Sequence, residues 1–228
     1  MERKELYLVP VPKATDSYAP VSHRDIVESV YEQLDKHNLK VANEYYKGGR
    51  EGNQVIGYMD IKRDNNNLGM RLAFRNSYDK SMSVAFVAGS MVWICSNGMI
   101  SGEMQFLRKH TGGVVKELNA KIVNTINQLD DHFNKMVEHS ELMKQVHVDT
   151  RMSAELAGRL FIEEEILNTT QLNILKKEIL EPSFDEFKGE DLWSFYNNTT
   201  YALKNSHPIN YIDNHIQLHE FVEIEYGL

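Results

Sequence analysis

The spacing of apolar residues changes along the chain, and the first segment has a helical period. Ile26, Val30 and Leu34 recur at helical spacing. Ser22, which precedes them, is a residue type that favours the helix N-cap. This spacing predicts an amphipathic helix that ends near His37.

The spacing then changes to a period of two, over residues 55–61 and again over residues 70–75, which is typical of strands with one buried face. Turn-forming residues cluster at 64–69 (DNNNLG), 77–81 (SYDKS) and 88–90 (AGS). Connections this short favour antiparallel pairing, since parallel strands need long crossovers. We therefore expect an antiparallel meander within residues 41 to 107.

From Gly112 onward the apolar pattern becomes helical again. One set of apolar residues recurs every seven positions: Val115, Ile122, Leu129, Met136 and Met143. This stripe predicts one long helix, or two nearly continuous ones, packed on the sheet. Pairing with a second copy of the chain is the alternative. Three polar residues disfavour that pairing because they occupy the second seam position of the heptads: Thr125, His132 and His139.

Further helices are predicted at 153–167, 170–180 and 191–205. The expected fold class is α+β. An antiparallel meander sheet is flanked by an N-terminal helix and a long helix, and a mainly helical C-terminal half follows. We expect residues 1–111 to hold the first helix and the sheet, with the helical residues 112–228 packed on them as one compact unit.

Composition adds a charge asymmetry. The chain carries 25 Lys and Arg against 33 Asp and Glu. Residues 1–121 hold 17 basic and 14 acidic residues, whereas residues 122–228 hold 8 and 19. An acidic protein does not bind nucleic acid over its whole surface, so any such site must be local. No segment approaches the ~18 apolar residues of a membrane span, which predicts a cytoplasmic protein without membrane contact.

No catalytic signature is present in the sequence, and no cofactor is predicted. Cys95 is the single cysteine, and it ends an apolar strand without an evident base, so we expect a buried thiol. His215 and His219 are four residues apart, the spacing of a helical zinc-binding pair. The residue after the first histidine is Ile216, where zinc peptidases carry their catalytic glutamate. The prediction is therefore no metal site and no catalytic residue.

The most suggestive chemistry is basic. Arg71 and Arg75 lie on the side of a predicted strand opposite its apolar residues, which would display both on an open sheet face. The remaining candidates for an anion-binding surface follow in the next turn and around the start of the long helix: Lys80, Arg108, Lys109 and Lys116. Such a surface suits phosphates of nucleic acid. Alternatively, the arginines form ion pairs with acidic residues such as Asp60.

Three motifs resemble a known family: residues 77–81 (SYDKS), 92–99 (VWICSNGM) and 192–200 (LWSFYNNTT) followed by His207. The chain resembles the phage/plasmid-like proteins that carry the domain of unknown function DUF932. The resemblance implies a mobile-element origin and transfers no catalytic residue. It draws attention to five polar residues, which either close a functional cleft or form a structural cluster, the interpretation we favour: Asn97, Tyr196, Asn197, Thr200 and His207.

The order of helix, meander and long helix also looks like the core of single-strand annealing recombinases. The leading hypothesis is therefore a non-enzymatic phage or mobile-element protein that binds single-stranded DNA or other nucleic acid, and its extended form is a single-strand annealing factor assembled as a homo-oligomer. The alternative is an anti-defence effector that binds a host protein or a signalling nucleotide. A metal-dependent hydrolase is the third hypothesis.

Overall fold

Helices and strands follow the predicted order in the computed structural model, which describes residues 1–62, 68–93, 95–207 and 209–228. The helices are α1 (Arg3–Leu8), α2 (His23–Lys36), α3 (Val114–Asn127), α4 (Leu129–Gln145), α5 (Thr150–Ile162), α6 (Thr169–Leu180), α7 (Leu192–Leu203) and α8 (Tyr211–Tyr226). The strands are β1 (Val41–Gly49), β2 (Gln54–Ile61), β3 (Leu68–Ser77), β4 (Val84–Val92), β5 (Asn97–Met99) and β6 (Phe106–Arg108).

The strands form one antiparallel sheet in the order β1-β2-β3-β4-β5, and β6 also pairs with β4. The α+β class and the antiparallel meander are thus confirmed. The turn expected at 88–90 is wrong, because β4 runs without interruption from Val84 to Val92 and is buried along its whole length. Small residues at 88–90 fill a crowded interior there. Most of the turn expected at 64–69 lies outside the described residues.

Local signals account for most of the helices. The Ser22 side chain caps α2 by accepting a hydrogen bond from the Asp25 amide, at 3.2 Å. The long apolar stripe is divided between two helices, α3 and α4, which Gln128 separates. Four of the five stripe residues are buried within the chain: Ile122, Leu129, Met136 and Met143.

The C-terminal helices lie close to their predicted positions. α5 begins at Thr150, three residues earlier than expected, because the Asp149 side chain accepts a hydrogen bond from the Met152 amide and caps it there. A capping box of Asn168 and Gln171 starts α6. The short helix α1 has no clear apolar period and was not predicted. No helix within the described residues is long and apolar enough to cross a membrane.

The chain divides into two compact units, neither of which is a continuous segment. Unit 1 comprises residues 1–89 and 103–132, and unit 2 comprises residues 90–102 and 133–228. Unit 1 therefore holds β1 to β3, β6 and helices α1 to α3. Unit 2 holds β5, helices α5 to α8 and most of α4.

A buried polar network supports the interior of unit 1. Asn76 on β3 accepts a hydrogen bond from His110 Nε2 at 2.7 Å and contacts His23 Nδ1 through its amide nitrogen at 3.0 Å. His23 Nε2 lies 3.1 Å from the Gly52 carbonyl oxygen. The Tyr78 ring stacks on His23, with centroids 3.9 Å apart. Burial lowers the pKa of His23 to about 4, so the ring is neutral at neutral pH.

Candidate metal centre

Three side chains with metal-binding atoms meet inside unit 2. His139 lies on α4, while His219 and Glu223 lie on α8. The two α8 residues are four positions apart, so the helix presents both on one face. Both histidines are buried, whereas the Glu223 side chain is 23% exposed. The cluster is therefore closed on the imidazole side and reaches solvent at the carboxylate.

The ligand atoms form a nearly equilateral triangle. His139 Nδ1 lies 3.2 Å from His219 Nε2. Glu223 Oε1 lies 3.6 Å from each of these nitrogens. The imidazole rings are nearly parallel, with an interplanar angle of 19° and centroids 5.3 Å apart. The three atoms thus lie close enough together for one metal ion to contact all of them.

These distances discriminate between metal geometries. Zinc binds histidine nitrogen and carboxylate oxygen at about 2.0–2.2 Å, so tetrahedral ligands lie roughly 3.3 Å apart. The octahedral arrangement of two histidines and one carboxylate around iron(II) would bring them to roughly 3.0 Å. The observed 3.2, 3.6 and 3.6 Å are nearer to the tetrahedral value. The donor set suits both metals, and the spacing of the ligand atoms is closer to that of a tetrahedral zinc site.

A phenol group orients one of the histidines. The Tyr196 hydroxyl on α7 lies 3.4 Å from His219 Nδ1. When Nε2 binds a metal, Nδ1 carries the proton and donates to this oxygen, a contact that fixes the ring and its tautomer. Tyr196 is itself buried and its ring is parallel to that of Trp193 at 4°, so its position is defined by packing. Burial raises the pKa of Tyr196, which keeps the phenol protonated.

The surroundings of Glu223 bear on the charge of the site. Lys135 Nζ lies 4.0 Å from Glu223 Oε1, so an ammonium group balances part of the carboxylate charge. Unit 2 as a whole contains 8 basic and 17 acidic residues, and this balance favours a cation. The cluster is separate from a cleft of about 460 Å³ between α6 and α7, none of whose lining residues belongs to it.

The sequence analysis did not predict this cluster, because it considered His219 only together with His215, four residues away. His215 is buried beside Tyr211, with ring centroids 4.5 Å apart, and does not belong to the cluster. The partner is His139, eighty residues earlier in the sequence. A usable signal existed: a histidine in the apolar stripe of a helix is a buried polar group that needs a partner.

The predicted display of Arg71 and Arg75 on an open sheet face is wrong. Both are buried, since β3 is an interior strand covered on both faces. Arg71 stands opposite Asp60 in the register and binds its carboxylate through two nitrogens, at 2.7 and 3.0 Å. The alternative interpretation, an ion pair with Asp60, is thus confirmed for Arg71. These arginines cannot form an exposed anion-binding surface.

The other predicted basic residues remain at the surface of unit 1. Lys80 and Lys116 are exposed, as is Lys109, which directly follows β6. Lys80 Nζ lies over the Tyr18 ring, 4.6 Å from its centroid. Arg108 forms an ion pair with Glu117, in the first turn of α3. The chain's own carboxylate therefore occupies the helix start that was expected to receive a phosphate.

Only part of the predicted polar cluster forms. The Asn97 amide on β5 donates to the Asn197 carbonyl oxygen at 2.9 Å, and the Thr200 hydroxyl donates to the same oxygen at 3.0 Å. Tyr196 instead contacts His219. His207 is exposed, and its ring accepts a hydrogen bond from the Ile209 amide. The assignment of His207 to a buried cluster is therefore wrong, because it lies in a surface turn.

Cys95 is buried, as predicted, in the turn between β4 and β5. Its thiol lies 3.8 Å from the Val92 carbonyl oxygen and accepts a contact from the Asn97 amide at 3.4 Å. These are contacts of a packed side chain in a turn. The Lys204 ammonium donates to the Cys95 carbonyl oxygen.

Comparison with known protein families identifies the family to which the chain belongs. Residues 13–220 match the domain of unknown function DUF932. The protein belongs to the DUF932 family. No solved structure matches the chain. DUF932 membership itself names no activity, so function must be argued from the site.

Proposed function

We propose that this DUF932 protein binds one divalent transition-metal ion, zinc in the first place, through His139, His219 and Glu223. The observation that carries the proposal is the triangle of ligand atoms, whose sides of 3.2, 3.6 and 3.6 Å are small enough for one metal ion to contact all three atoms. The alternative is a metal-free pair of imidazoles joined by one N–H···N hydrogen bond. In that alternative Glu223 would be an ion-pair partner of Lys135, and of either imidazole when that imidazole is protonated, instead of a metal ligand.

The number of ligands indicates the use of the metal. Structural zinc sites have four protein ligands, whereas catalytic sites have three and leave one position for water or substrate. The cluster supplies three among the described residues, and Glu223 reaches solvent. A zinc ion here would lower the pKa of a bound water and act as a Lewis acid. We therefore propose a metal-dependent hydrolase, with Tyr196 holding His219 in position.

Metal analysis of the purified protein tests this proposal. We expect about one zinc per chain in the wild type, and at least a tenfold loss of zinc affinity in His139→Gln and Glu223→Gln. The matched control is His215→Gln, since His215 is equally buried and lies one turn from His219 on the same helix. Loss of zinc in the control but not in His139→Gln would favour the pair at helical spacing and contradict the observed triangle.

Hydrolysis is tested separately. The zinc-loaded wild type is assayed on a chromogenic phosphodiester and a chromogenic carboxylic ester. Activity that disappears in His139→Gln and persists in His215→Gln supports the hydrolase. Tight zinc binding without turnover of either ester would leave a metal protein and remove the hydrolytic role.

Single-stranded DNA binding stands as a second candidate function, in keeping with a phage or mobile-element protein of the host cytoplasm. Its support is the set of exposed lysines Lys80, Lys109 and Lys116 in unit 1, since the unit as a whole is nearly neutral, with 17 basic and 16 acidic residues. The proposal predicts an affinity for a labelled oligonucleotide that falls steeply with salt, as counterions are released. Sedimentation with and without DNA tests assembly into a homo-oligomer. Absence of binding at low salt removes this candidate.

A further inference from the structure

An aromatic row crosses the first strands of unit 1 and ends at the surface. Tyr45 on the edge strand β1 stands directly opposite Tyr58 on β2. Their rings are nearly parallel, at 15°, with centroids 6.2 Å apart. The Arg71 guanidinium on β3 lies over the Tyr58 ring, 5.2 Å from its centroid. The row Tyr45–Tyr58–Arg71 is thus a continuous π stack across three strands.

The inner end of this row is fixed and the outer end is open. Asp60 holds Arg71 through two hydrogen bonds, and both residues are buried. Tyr58 is half-buried between its neighbours. Tyr45 is 58% exposed, which is high for a tyrosine on a sheet. A rigidly supported ring with one free face is a ready surface for another planar group.

The surroundings of Tyr45 are mainly cationic. Lys47 lies two residues further along β1, on the same face, and is exposed. A cleft of about 530 Å³ beside the edge of β1 is lined by Tyr45, Tyr7, Arg3 and Lys4. Two acidic residues also line it, Glu2 and Glu44. Glu44 forms an ion pair with Arg3 and also accepts hydrogen bonds from Tyr31 and Tyr46, so these two charges compensate each other and the proposal relies on Lys4 and Lys47.

From this arrangement we propose that Tyr45 is a base-stacking platform for single-stranded nucleic acid, with Lys4 and Lys47 next to the phosphates. Proteins that bind single strands combine an exposed aromatic ring for the base with a positive groove for the backbone, and both features meet here. The inference rests on the second candidate function above. The proposed site is separate from the basic residues predicted around β6, Arg108 and Lys109. Tyr45 lies on β1, which has a different position in the sheet order.

The test uses fluorescence anisotropy of a labelled oligodeoxythymidylate with the full-length protein. Tyr45→Phe retains a ring and should bind like the wild type. Tyr45→Ala should weaken binding by roughly tenfold. The matched control is Leu107→Ala, because Leu107 is 51% exposed on another short strand of unit 1. Circular dichroism melts verify that every variant is folded.

Salt dependence separates stacking from charge. Tyr45→Ala should lower affinity at all salt concentrations without changing the slope, because a stacked base releases no counterion. Lys47→Ala should reduce the slope of log K against log salt by about one unit. A parallel shift for Tyr45→Ala together with a reduced slope for Lys47→Ala supports the platform.

The opposing outcomes are distinct. Equal binding by Tyr45→Ala and wild type would overturn the platform while leaving DNA binding by unit 1 in place. No binding by the wild type would overturn both the platform and the second candidate function. Photocrosslinking with an iodouracil oligonucleotide gives a direct readout: a crosslink within residues 41–49 supports the site, and crosslinks only elsewhere in the chain contradict it.

Discussion

At the scale of single residues, the contacts of a buried histidine determine its protonation state, which the sequence alone does not reveal. His23 is an instructive case, since it is fully buried yet both of its ring nitrogens have partners, the Gly52 carbonyl and the Asn76 amide. A neutral ring satisfies both contacts, with Nε2–H donating and Nδ1 accepting. A charged ring would have to donate twice, and the Asn76 amide nitrogen cannot accept. Protonation is therefore opposed by geometry as well as by burial.

His23 should make the protein sensitive to acid. Its pKa is about 4 in the folded state against 6.5 in an unfolded chain, so the unfolded state takes up the proton first. Above pH 6.5 the residue contributes no pH dependence. As pH falls from 6.5 to 4 the free energy of unfolding should decrease, by up to about 3 kcal/mol. Urea denaturation between pH 7 and pH 4 measures this slope.

Two variants isolate the contribution. His23→Gln should flatten the pH dependence in this range, although His110 retains part of it because burial also lowers its pKa. His147→Gln, which removes an exposed histidine, is the matched control substitution. A slope in His23→Gln equal to that of the wild type would show that the acid sensitivity originates elsewhere.

At the scale of elements, register and packing decide which small residues are needed. Gly57 on β2 stands opposite Phe74 on β3, whose ring fills the space where a β-carbon would be. A β-carbon at position 57 would lie 2.2 Å from Phe74 Cε1, far inside van der Waals contact. Phe74 is buried, so its ring has little room to move.

Gly57→Ala should therefore destabilise the fold by about 1–3 kcal/mol through overpacking. Gly158 on α5 provides the opposite case, because nothing lies within 4 Å of its added β-carbon. Gly158→Ala should raise stability by about 0.5–1 kcal/mol, since alanine favours the helix. Thermal melts of both variants compare the two effects. Destabilisation by both, or by neither, would contradict the packing described here.

Elements were also where prediction from sequence worked best. Caps and apolar periods predicted α2 and α6 almost to the residue, because those signals act within one or two turns. The same reasoning failed at β4, where the segment 88–90 has turn composition but lies in a strand buried on both faces. Local composition does not reveal that burial, since it depends on which other elements cover the sheet.

At the scale of the whole molecule, the candidate site could not be predicted from spacing. The candidate metal-binding residues His139 and His219 are eighty positions apart in the sequence, and the packing of α4 against α8 brings them together. The buried pair of Arg71 and Asp60 likewise depends on the register of β2 and β3, although it was foreseen as an alternative. The charge asymmetry of the sequence partly predicted the division into two units, since the acidic residues 122–228 largely coincide with unit 2.

The division of each unit between separate segments has a consequence for how the protein is made. β5 belongs to unit 2 and packs against α7 and α8, and its Asn97 donates to Asn197, which follows one hundred residues later. At ribosomal rates of about 5–20 residues per second, roughly 5–20 s separate the synthesis of these partners. During that interval β5 has been synthesised, but α7 and α8, against which it packs, have not. Nascent chains stalled before residue 192 should therefore engage trigger-factor-like chaperones, and release should follow the arrival of the last two helices.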